Sequence, residues 1–263
     1  MHERDDLWIA AAASALLAAE CERVPIDALT LRRPDLPVET AYRVQAATVK
    51  RRVAGGARIV GHKAGATSQA IQEQGGVDEP DSGLLLDDMV LPTGSTLPWA
   101  VLMQPRVEAE IAFRLGSDLA GPHVSVEEAR GAVAEVLLAL EVIDTRYSSW
   151  QITIADSIAD NASCGRVVTG PPVPLVAGMD LAAEPLVVSV NGTAVATGEG
   201  RAVLGDPLRV LAWLAGRLHC FGDGLRSGQL VLAGAVHASF PLEAQSTVYA
   251  RSPHLPPVEL HVS

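Results

Sequence analysis

Apolar and polar positions follow three rhythms along this chain, and each predicts a different kind of element. "LWIAAAASALLAA", Leu7 to Ala19, is an unbroken Ala-rich run that predicts a helix over residues 5–20, capped by Asp5 or Asp6. "PVETAYRVQAATVKRRVAGG" predicts a second helix over 38–53. Pro37 suits its first turn, Gly55–Gly56 suit its end, and Tyr42, Val44, Ala46, Val49 and Val53 mark its inner face. Ile59 and Val60 open a short strand that runs into a Gly-rich bend around Lys63. Residues 66–80 predict a short helix ending at Gly75–Gly76, and "DEPDSGLLLDDMVLPTGSTLP" mixes turns with a short apolar run.

Residues 106–115 alternate with a period of two, the signature of a strand. Ser125 and Glu128 form a capping-box pair that predicts a helix running to Leu138 or Leu140, with "LEVID" as the entry to another strand. The second half is mainly strand-like. "PLVVSVNGTAVATG" places Asn191–Gly192 between β-rich arms, a strong hairpin signal. "DPLRVLAWLAGRL" reads as a helix with Pro207 in its first turn, and "SGQLVLAG" and "STVYARS" read as strands. The sum is one α+β domain with a mainly antiparallel or mixed β core and helices around it. Alternating βα units are too few for a doubly wound fold.

Composition narrows the function classes. With 48% hydrophobic and 19% charged residues over 263 positions, the chain can bury a sizeable core and is globular. A formal net charge of −11 argues against a nucleic-acid or anionic-membrane surface. Cys21, Cys164 and Cys220 are far apart and form no CxxC, which fits a reducing compartment and excludes a local zinc motif. The seven histidines show no HExxH-like spacing. The N-terminal apolar run follows an acidic "MHERDD" where a signal peptide is basic, and it is too short to span a bilayer. The expectation is a cytoplasmic protein.

The candidate chemistry sits in "QPRVEAEIAFRL", residues 104–115. Strand periodicity puts Glu108 and Glu110 on one face, ~6–7 Å apart at Cα, and Val107, Ala109 and Ile111 on the other. Two carboxylates converging in a core raise one another's pKa or demand a cation, and a hard oxygen site suits Mg²⁺ or Mn²⁺. The spacing alone fits a solvent-facing edge strand better. A third acid set among apolar residues, Glu141 in "LLALEVIDTR", shifts the balance towards a metal site, although it also suits the solvated end of a helix. Lys63, flanked by small residues, could orient a substrate carboxylate or move a proton, or be an ordinary surface lysine. Asp81, between Pro80 and Gly83, is most simply a turn residue. "ADNASCG", residues 159–165, has the composition of a polar binding loop or of a self-satisfied buried turn. Cys164 as a nucleophile has no local His to support it.

Taken in order, "VGHKAGATS", "GVDEPDSGLLLDDMV", "MQPRVEAEIAF", "LALEVIDTR", "IADNASCG" and "VLGDPL" resemble the 2-keto-4-pentenoate (2-hydroxypenta-2,4-dienoate) hydratases of the fumarylacetoacetate hydrolase superfamily. The 4-oxalocrotonate decarboxylases are close relatives of that family. The resemblance covers about residues 38–250. It implies a mixed β-roll-like core with surrounding helices, arranged as a helical arm, 1–55, packed on a catalytic domain, 56–263. It implies Mg²⁺ or Mn²⁺ held by Glu108, Glu110 and Glu141, proton transfer by Lys63 and Asp81, and substrate contacts from Ser163 and Asn161. It further implies a homo-oligomer acting on a small 2-hydroxydienoate or 2-oxo acid.

The expected activity is addition of water to a 2-hydroxy-2,4-dienoate to give a 4-hydroxy-2-oxo acid. The alternatives are decarboxylation of a related 2-oxo acid and a non-catalytic partner subunit of the same fold. "QPR" and "DNASCG" lean towards hydratase, where decarboxylases tend towards "HPK" and "DNASST". The chain departs from the family pattern at Ala64, Ala66, Ser82, Asp206 and Ala233, changes expected to enlarge or repolarise the pocket.

Overall fold

In a computed structural model, which describes residues 2–68, 72 and 79–263, the strand-forming segments gather into two sheets. In chain order the elements are α1 (His2–Glu22), α2 (Leu29–Arg32), α3 (Val38–Ala54), β1 (Ile59–Gly65), β2 (Asp81–Leu86), β3 (Val90–Pro92), β4 (Ser95–Leu97) and β5 (Arg106–Leu115). They continue with α4 (Val126–Ala132), β6 (Val133–Ile143), α5 (Ile154–Ala159), β7 (Cys164–Thr169), β8 (Val173–Pro174), β9 (Pro185–Val190) and β10 (Thr193–Glu199). The last are α6 (Leu208–His219), β11 (Leu230–Ala235), β12 (Phe240–Pro241), β13 (Thr247–Arg251) and β14 (Val258–Val262).

The larger sheet runs β2-β1-β11-β5-β6-β7-β3, with β12 joining β5 and β8 joining β6. The smaller runs β10-β9-β13-β14-β4. Most pairs are antiparallel, but β1 with β11, β3 with β7 and β14 with β4 are parallel, so the core is mixed. β9 and β10 form the hairpin expected at Asn191–Gly192, with φ of 50° and 81° there.

Strands β5 and β6 form the centre. Val107, Ala109, Ile111 and Phe113 with Val136, Leu138, Leu140 and Val142 are wholly buried in the main core. That core also takes in Val188 and Leu186 of β9, Val248 and Ala250 of β13 and Leu260 of β14. The opposite face of the same two strands puts Ala112, Leu137 and Ala139 into a second cluster, with Leu85, Leu86 and Leu232. β6 is therefore buried on both sides, which corrects the expectation of a helix to Leu138 or Leu140. The capping box at Ser125 is present, but it launches only α4, which stops at Ala132. A continuous apolar run such as "VLLAL" lacks a polar stripe, so periodicity cannot separate a buried helix from a strand covered on both faces. Hydrogen bonding to β5 on one side and β7 on the other decides it.

Three other expectations change. α1 already includes Asp5 and Asp6, so they do not cap it; Asp5 pairs with Arg33 at 3.2 Å and Asp6 with Arg43. The inner face of α3 is Ala41, Tyr42, Val44, Gln45 and Val49, while Ala46 and Val53 are exposed. Asp81 is the first residue of β2 and lies in the ladder opposite Gly65, not in a turn. The short helix expected over 66–80 lies for the most part outside the described residues.

α1 and α3 share a third apolar cluster with α5, which includes Ile9, Leu16, Tyr42, Tyr147 and Ile158. Gln45 ties this layer to the sheet by donating to the carbonyls of Ser82 (2.8 Å) and Ile158 (3.0 Å). The long connection from β6 to β7 is closed on itself by a buried ion pair between Arg146 and Asp160. The Arg146 guanidinium also donates to the carbonyls of Asp144 (2.6 Å) and Cys164 (3.2 Å), and its backbone N–H donates to Asp160 (3.0 Å). Burial still pushes the Asp160 carboxyl up to about 6, although Arg146 opposes the shift.

Removing one partner of a buried pair strands the other charge. Asp160→Ala is therefore expected to destabilise the protein by about 3–5 kcal/mol, measured by denaturant unfolding. A change below about 1 kcal/mol, the range of exposed pairs, would contradict this account.

Candidate metal centre and active-site cavity

The register of β5 against β6 places Glu108 directly opposite Glu141, with Glu110 one pleat further along the same face. One carboxylate oxygen from each lies within 4.8 Å of the others. Glu110 and Glu141 are wholly buried and Glu108 is half-buried at the edge of a cavity. Ile111 and its neighbours on the other face anchor the strand in the main core, so the acids cannot turn away without inverting β5.

Glu110 is held by a backbone irregularity in β11. The β11–β5 ladder breaks between Leu232 and Ala235, and there the N–H of Gly234 donates to Glu110 Oε2 at 2.7 Å. Gly234 has φ of +106°, and a Cβ at that position would lie 2.0 Å from Thr67 Oγ1. Only glycine fits both demands. Glu110 Oε1 and both oxygens of Glu141 accept no hydrogen bond, although they are buried. Buried carboxylate oxygens without donors are costly. They have the chemistry of a hard-cation site, and the residues present fit a divalent metal.

The electrostatics agree with that fit. Burial, then Glu141, pushes the Glu108 carboxyl up to about 7, with Lys63 opposing. Burial, Glu141 and Glu108 push Glu110 well above the usual carboxylate range. Lys63 is the counter-charge. It stands on β1, almost fully buried, with Nζ 3.5 Å from Glu141 Oε1 and donating to the carbonyl of Ala162 at 2.9 Å. Burial alone would lower its pKa, but Glu141, Asp81 and neighbouring groups outweigh burial and raise it, so the ammonium stays charged.

Asp81 approaches the same cavity from β2. Its Oδ2 accepts from Ser157 Oγ at 2.8 Å, while Oδ1 is buried with no partner. A Cβ on Gly65 would lie 2.2 Å from that Oδ1 and 3.2 Å from Lys63 Nζ. The missing side chain at Gly65 therefore lets the carboxylate and the ammonium flank one point.

The "DNASCG" loop is built by three successive left-handed residues, Asn161, Ala162 and Ser163, with φ of 55°, 51° and 54°. Such a run costs roughly 1–2 kcal/mol per non-glycine residue. Asn161 offsets part of it by pairing with β2: its Oδ1 accepts from Leu84 N–H (2.8 Å) and its Nδ2 donates to Leu84 C=O (2.9 Å). The turn aims the Ala162 carbonyl at Lys63 and leaves the buried Ser163 Oγ without a partner at the cavity wall. The structure thus brings Lys63, Asp81, Ser163 and the three glutamates together, while the Asn161 amide is engaged by backbone and does not line the cavity. Cys164 is buried, and burial, then the Glu141 carboxylate, raises its pKa, so it remains a thiol.

The cavity encloses about 190 Å³. Trp150, Ile152, Thr153, Ile154 and Ser157 supply one side, all from the connection that the Arg146–Asp160 pair closes. Sequence reasoning missed these residues. A tryptophan in a polar stretch of a chain with 4% aromatics was the available signal. Of the departures from the family pattern, Ala64 and Ala66 line the cavity. Ser82 instead meets the Tyr42 hydroxyl at 3.2 Å, Asp206 accepts from Leu208 N–H in the first turn of α6, and Ala233 is buried in the main core.

His237 was also missed. Its Nε2 accepts from the N–H of Ala109 (3.1 Å), the residue between Glu108 and Glu110, where β11 has left the ladder. Its Nδ1 donates to the Ala238 carbonyl at 2.9 Å, and burial lowers its pKa, so the ring stays neutral and keeps Nε2 as acceptor. His237→Ala should cost about 1–3 kcal/mol in denaturant unfolding, because it orphans a buried donor. It should also weaken divalent-cation binding measured by titration calorimetry. Unchanged stability and unchanged binding would show that the bond does not support β5.

The chain is similar to known proteins over most of its length. The family model for the fumarylacetoacetate (FAA) hydrolase C-terminal region matches residues 54–263. A 2-keto-4-pentenoate hydratase of Paraburkholderia xenovorans is 42% identical over 225 residues, 86% of this chain and 84% of its own. A 2-hydroxyhexa-2,4-dienoate hydratase of Comamonas testosteroni is 40% identical over 82% of this chain and 83% of its own. Among solved structures, 4-oxalocrotonate decarboxylase from Pseudomonas putida G7, complexed with magnesium and adipate, superposes with a TM-score of 0.95 at 32% identity, covering 98% of both chains. No helix among the described residues is long and apolar enough to cross a membrane. The family match runs from the end of α3 to the C-terminus and takes in both sheets and all three acids, and the chain therefore belongs to the fumarylacetoacetate hydrolase superfamily, within its 2-keto-4-pentenoate hydratase family.

Proposed function

We propose that this protein is a hydro-lyase that adds water across a 2-hydroxy-2,4-dienoate to give a 4-hydroxy-2-oxo acid, with Mg²⁺ or Mn²⁺ held by Glu108, Glu110 and Glu141. The observation that carries the reading is the set of donor-less buried oxygens on Glu110 and Glu141 beside a charged Lys63. Names of relatives at about 40% identity over most of the chain support the reaction class. A bound divalent ion supplies Lewis acidity, stabilising negative charge on the C2 oxygen as the dienol becomes an enone.

The residues divide the remaining work. The reaction removes a proton from the C2 hydroxyl, delivers one to C5, and then adds hydroxide at C4 and a proton at C3. Asp81, with Oδ1 free and Oδ2 fixed by Ser157, is the acceptor. Lys63, held protonated, is the donor and helps to neutralise the substrate carboxylate. Ser163 offers its unpaired hydroxyl to the substrate, and Asn161 shapes the turn that presents it. Ile143 and Trp150 supply apolar lining to the cavity. Homo-oligomerisation and a cytoplasmic location complete the proposal; the three unpaired cysteines are consistent with a reducing compartment.

Decarboxylation is the second reading, favoured by the superposition on 4-oxalocrotonate decarboxylase. Release of CO₂ from a 2-oxo dicarboxylate, with no hydration of dienols, would replace the first reading with the second.

Three outcomes are expected. Glu110→Gln should lower metal-dependent hydration at least about 100-fold, while stabilising the metal-free protein by removing one of three crowded carboxylates. A hydration assay reads the first effect; thermal unfolding without Mg²⁺ reads the second, and with Mg²⁺ the cation-dependent rise of Tm should vanish. Full hydration after EDTA treatment would overturn the metal role.

The pH dependence follows from Glu108, whose carboxyl sits near 7 in the folded protein against an ordinary 4.5. Between those values the native metal-free state binds more protons than the unfolded chain, so its stability should fall as pH rises through the window. Cation affinity should rise over the same window, because binding displaces those protons. Titration calorimetry at about pH 5.5 and about pH 8, below and above the folded-state value near 7, checks the sign.

A further inference from the structure

We infer that the cavity selects substrates whose far end, beyond C4, is apolar, and rejects those that end in a second carboxylate, with Trp150, Ile152 and Ile143 as the selecting wall. The inference rests on the hydratase reading for the reaction and on the cavity itself for the preference.

The charged groups of the cavity are all committed to one end of a 2-oxo acid. Glu108 belongs to the acid triad, and Asp81 and Lys63 flank the point left open by Gly65. Lys63 is the single cation among the described residues that line the cavity, and it is already shared by Glu141 and the Ala162 carbonyl. Residues 69–78, "QAIQEQGGVD", contain no Lys, Arg or His, so that stretch of sequence offers no second cation. Arg106, the nearest arginine along β5, spends its guanidinium on Ser239, to which it donates at the hydroxyl (2.8 Å) and at the carbonyl.

The rest of the lining is apolar. Ile143 follows Glu141 on the same face of β6, at the register position opposite Arg106. Trp150, Ile152 and Ile154 come from one short segment, and Ala235 ends β11. This wall is fixed. Trp150 Nε1 donates to the Gln104 carbonyl at 3.0 Å, and Gln104 Nε2 donates to the Tyr147 carbonyl at 2.6 Å. Thr153 and Ser157, the hydroxyls of the same segment, are engaged by Asp156 and Asp81. A terminal carboxylate placed against this wall would lose its water and find neither a cation nor a free side-chain donor there, since the unpaired Ser163 hydroxyl follows the Ala162 carbonyl that Lys63 holds, whereas a methyl or longer alkyl end would gain contact with the wall.

A matched pair of unreactive ligands tests this: 2-oxohexanoate and 2-oxoadipate have the same chain length and differ only at the far end. Calorimetric titration of the Mg²⁺-loaded protein should show 2-oxohexanoate binding roughly 100-fold more tightly, the order expected for stranding a buried charge. Trp150→Ala should weaken 2-oxohexanoate about 10-fold more than it weakens pyruvate, which has no far end. Ile152→Arg should shift the preference towards 2-oxoadipate. Equal or tighter binding of 2-oxoadipate by the unaltered protein would overturn the inference, whatever the variants do. Turnover is scored separately on 2-hydroxydienoates with hydrogen, methyl or carboxylate at C5. Retained binding preference with no hydration of any of them would leave the apolar selection standing and remove the hydratase reading instead.

Discussion

The pairing of β5 with β6 is the constraint on which the rest of the structure depends. It sets Glu108 opposite Glu141 and leaves Glu110 on the same face, so three carboxylates share a space that a single ion could fill. A slip of one residue would send the acids into the main core and bring Val107, Ala109 and Ile111 to the cavity side. The apolar face fixes the register because those side chains are wholly buried among both sheets. Hydrophobic burial on one side of a strand thus holds the electrostatic repulsion on the other, a division of labour that a single amphipathic helix could not provide for both strands at once.

Around that pair, the backbone is bent wherever a polar atom must be delivered to the acids. β11 leaves its ladder at Gly234 so that an N–H meets Glu110, and His237 takes up the Ala109 N–H that the departure exposes. The left-handed run at Asn161–Ser163 brings a carbonyl to Lys63 and a hydroxyl to the cavity. Gly65 and Gly83 are close-approach positions: a Cβ would strike Asp81 in one case and the Asn161 carbonyl in the other. Local strain is stored beside the cavity, and the buried Arg146–Asp160 pair and the Asn161–Leu84 hydrogen bonds hold it in place.

The connection between β6 and β7 links stability to the shape of the cavity. It carries Arg146 and Asp160 at its ends and Trp150 to Ser157 between them, so the ion pair that closes the loop also positions the cavity wall. Ser157 reaches Asp81 from this loop, and Gln45 on α3 reaches the Ser82 carbonyl beside it. The helical layer and strand β2 are therefore coupled through hydrogen bonds to the adjacent residues Asp81 and Ser82.

Much of this was legible in the sequence. Period-two alternation placed Glu108 and Glu110 on one face, the Asn191–Gly192 pair marked its hairpin, and ordered motifs pointed to the superfamily and to the same three acids. Each of these is local chemistry: spacing, turn preference or a short run of residues. Other features exist only through partners distant in the chain. "VLLAL" became a strand because β5 and β7 flank it, Asp81 became a cavity residue because Gly65 lies opposite it, and Ala233 turned away from the cavity because β11 buckles at Gly234. His237 and Trp150 carried no pattern of their own, since their roles come from an unpaired N–H and a carbonyl more than forty residues away. The sequence by itself determined which side chains could share a face. The tertiary structure alone decided which faces met, because contacts between strands depend on register and backbone irregularity rather than on any residue's own preference.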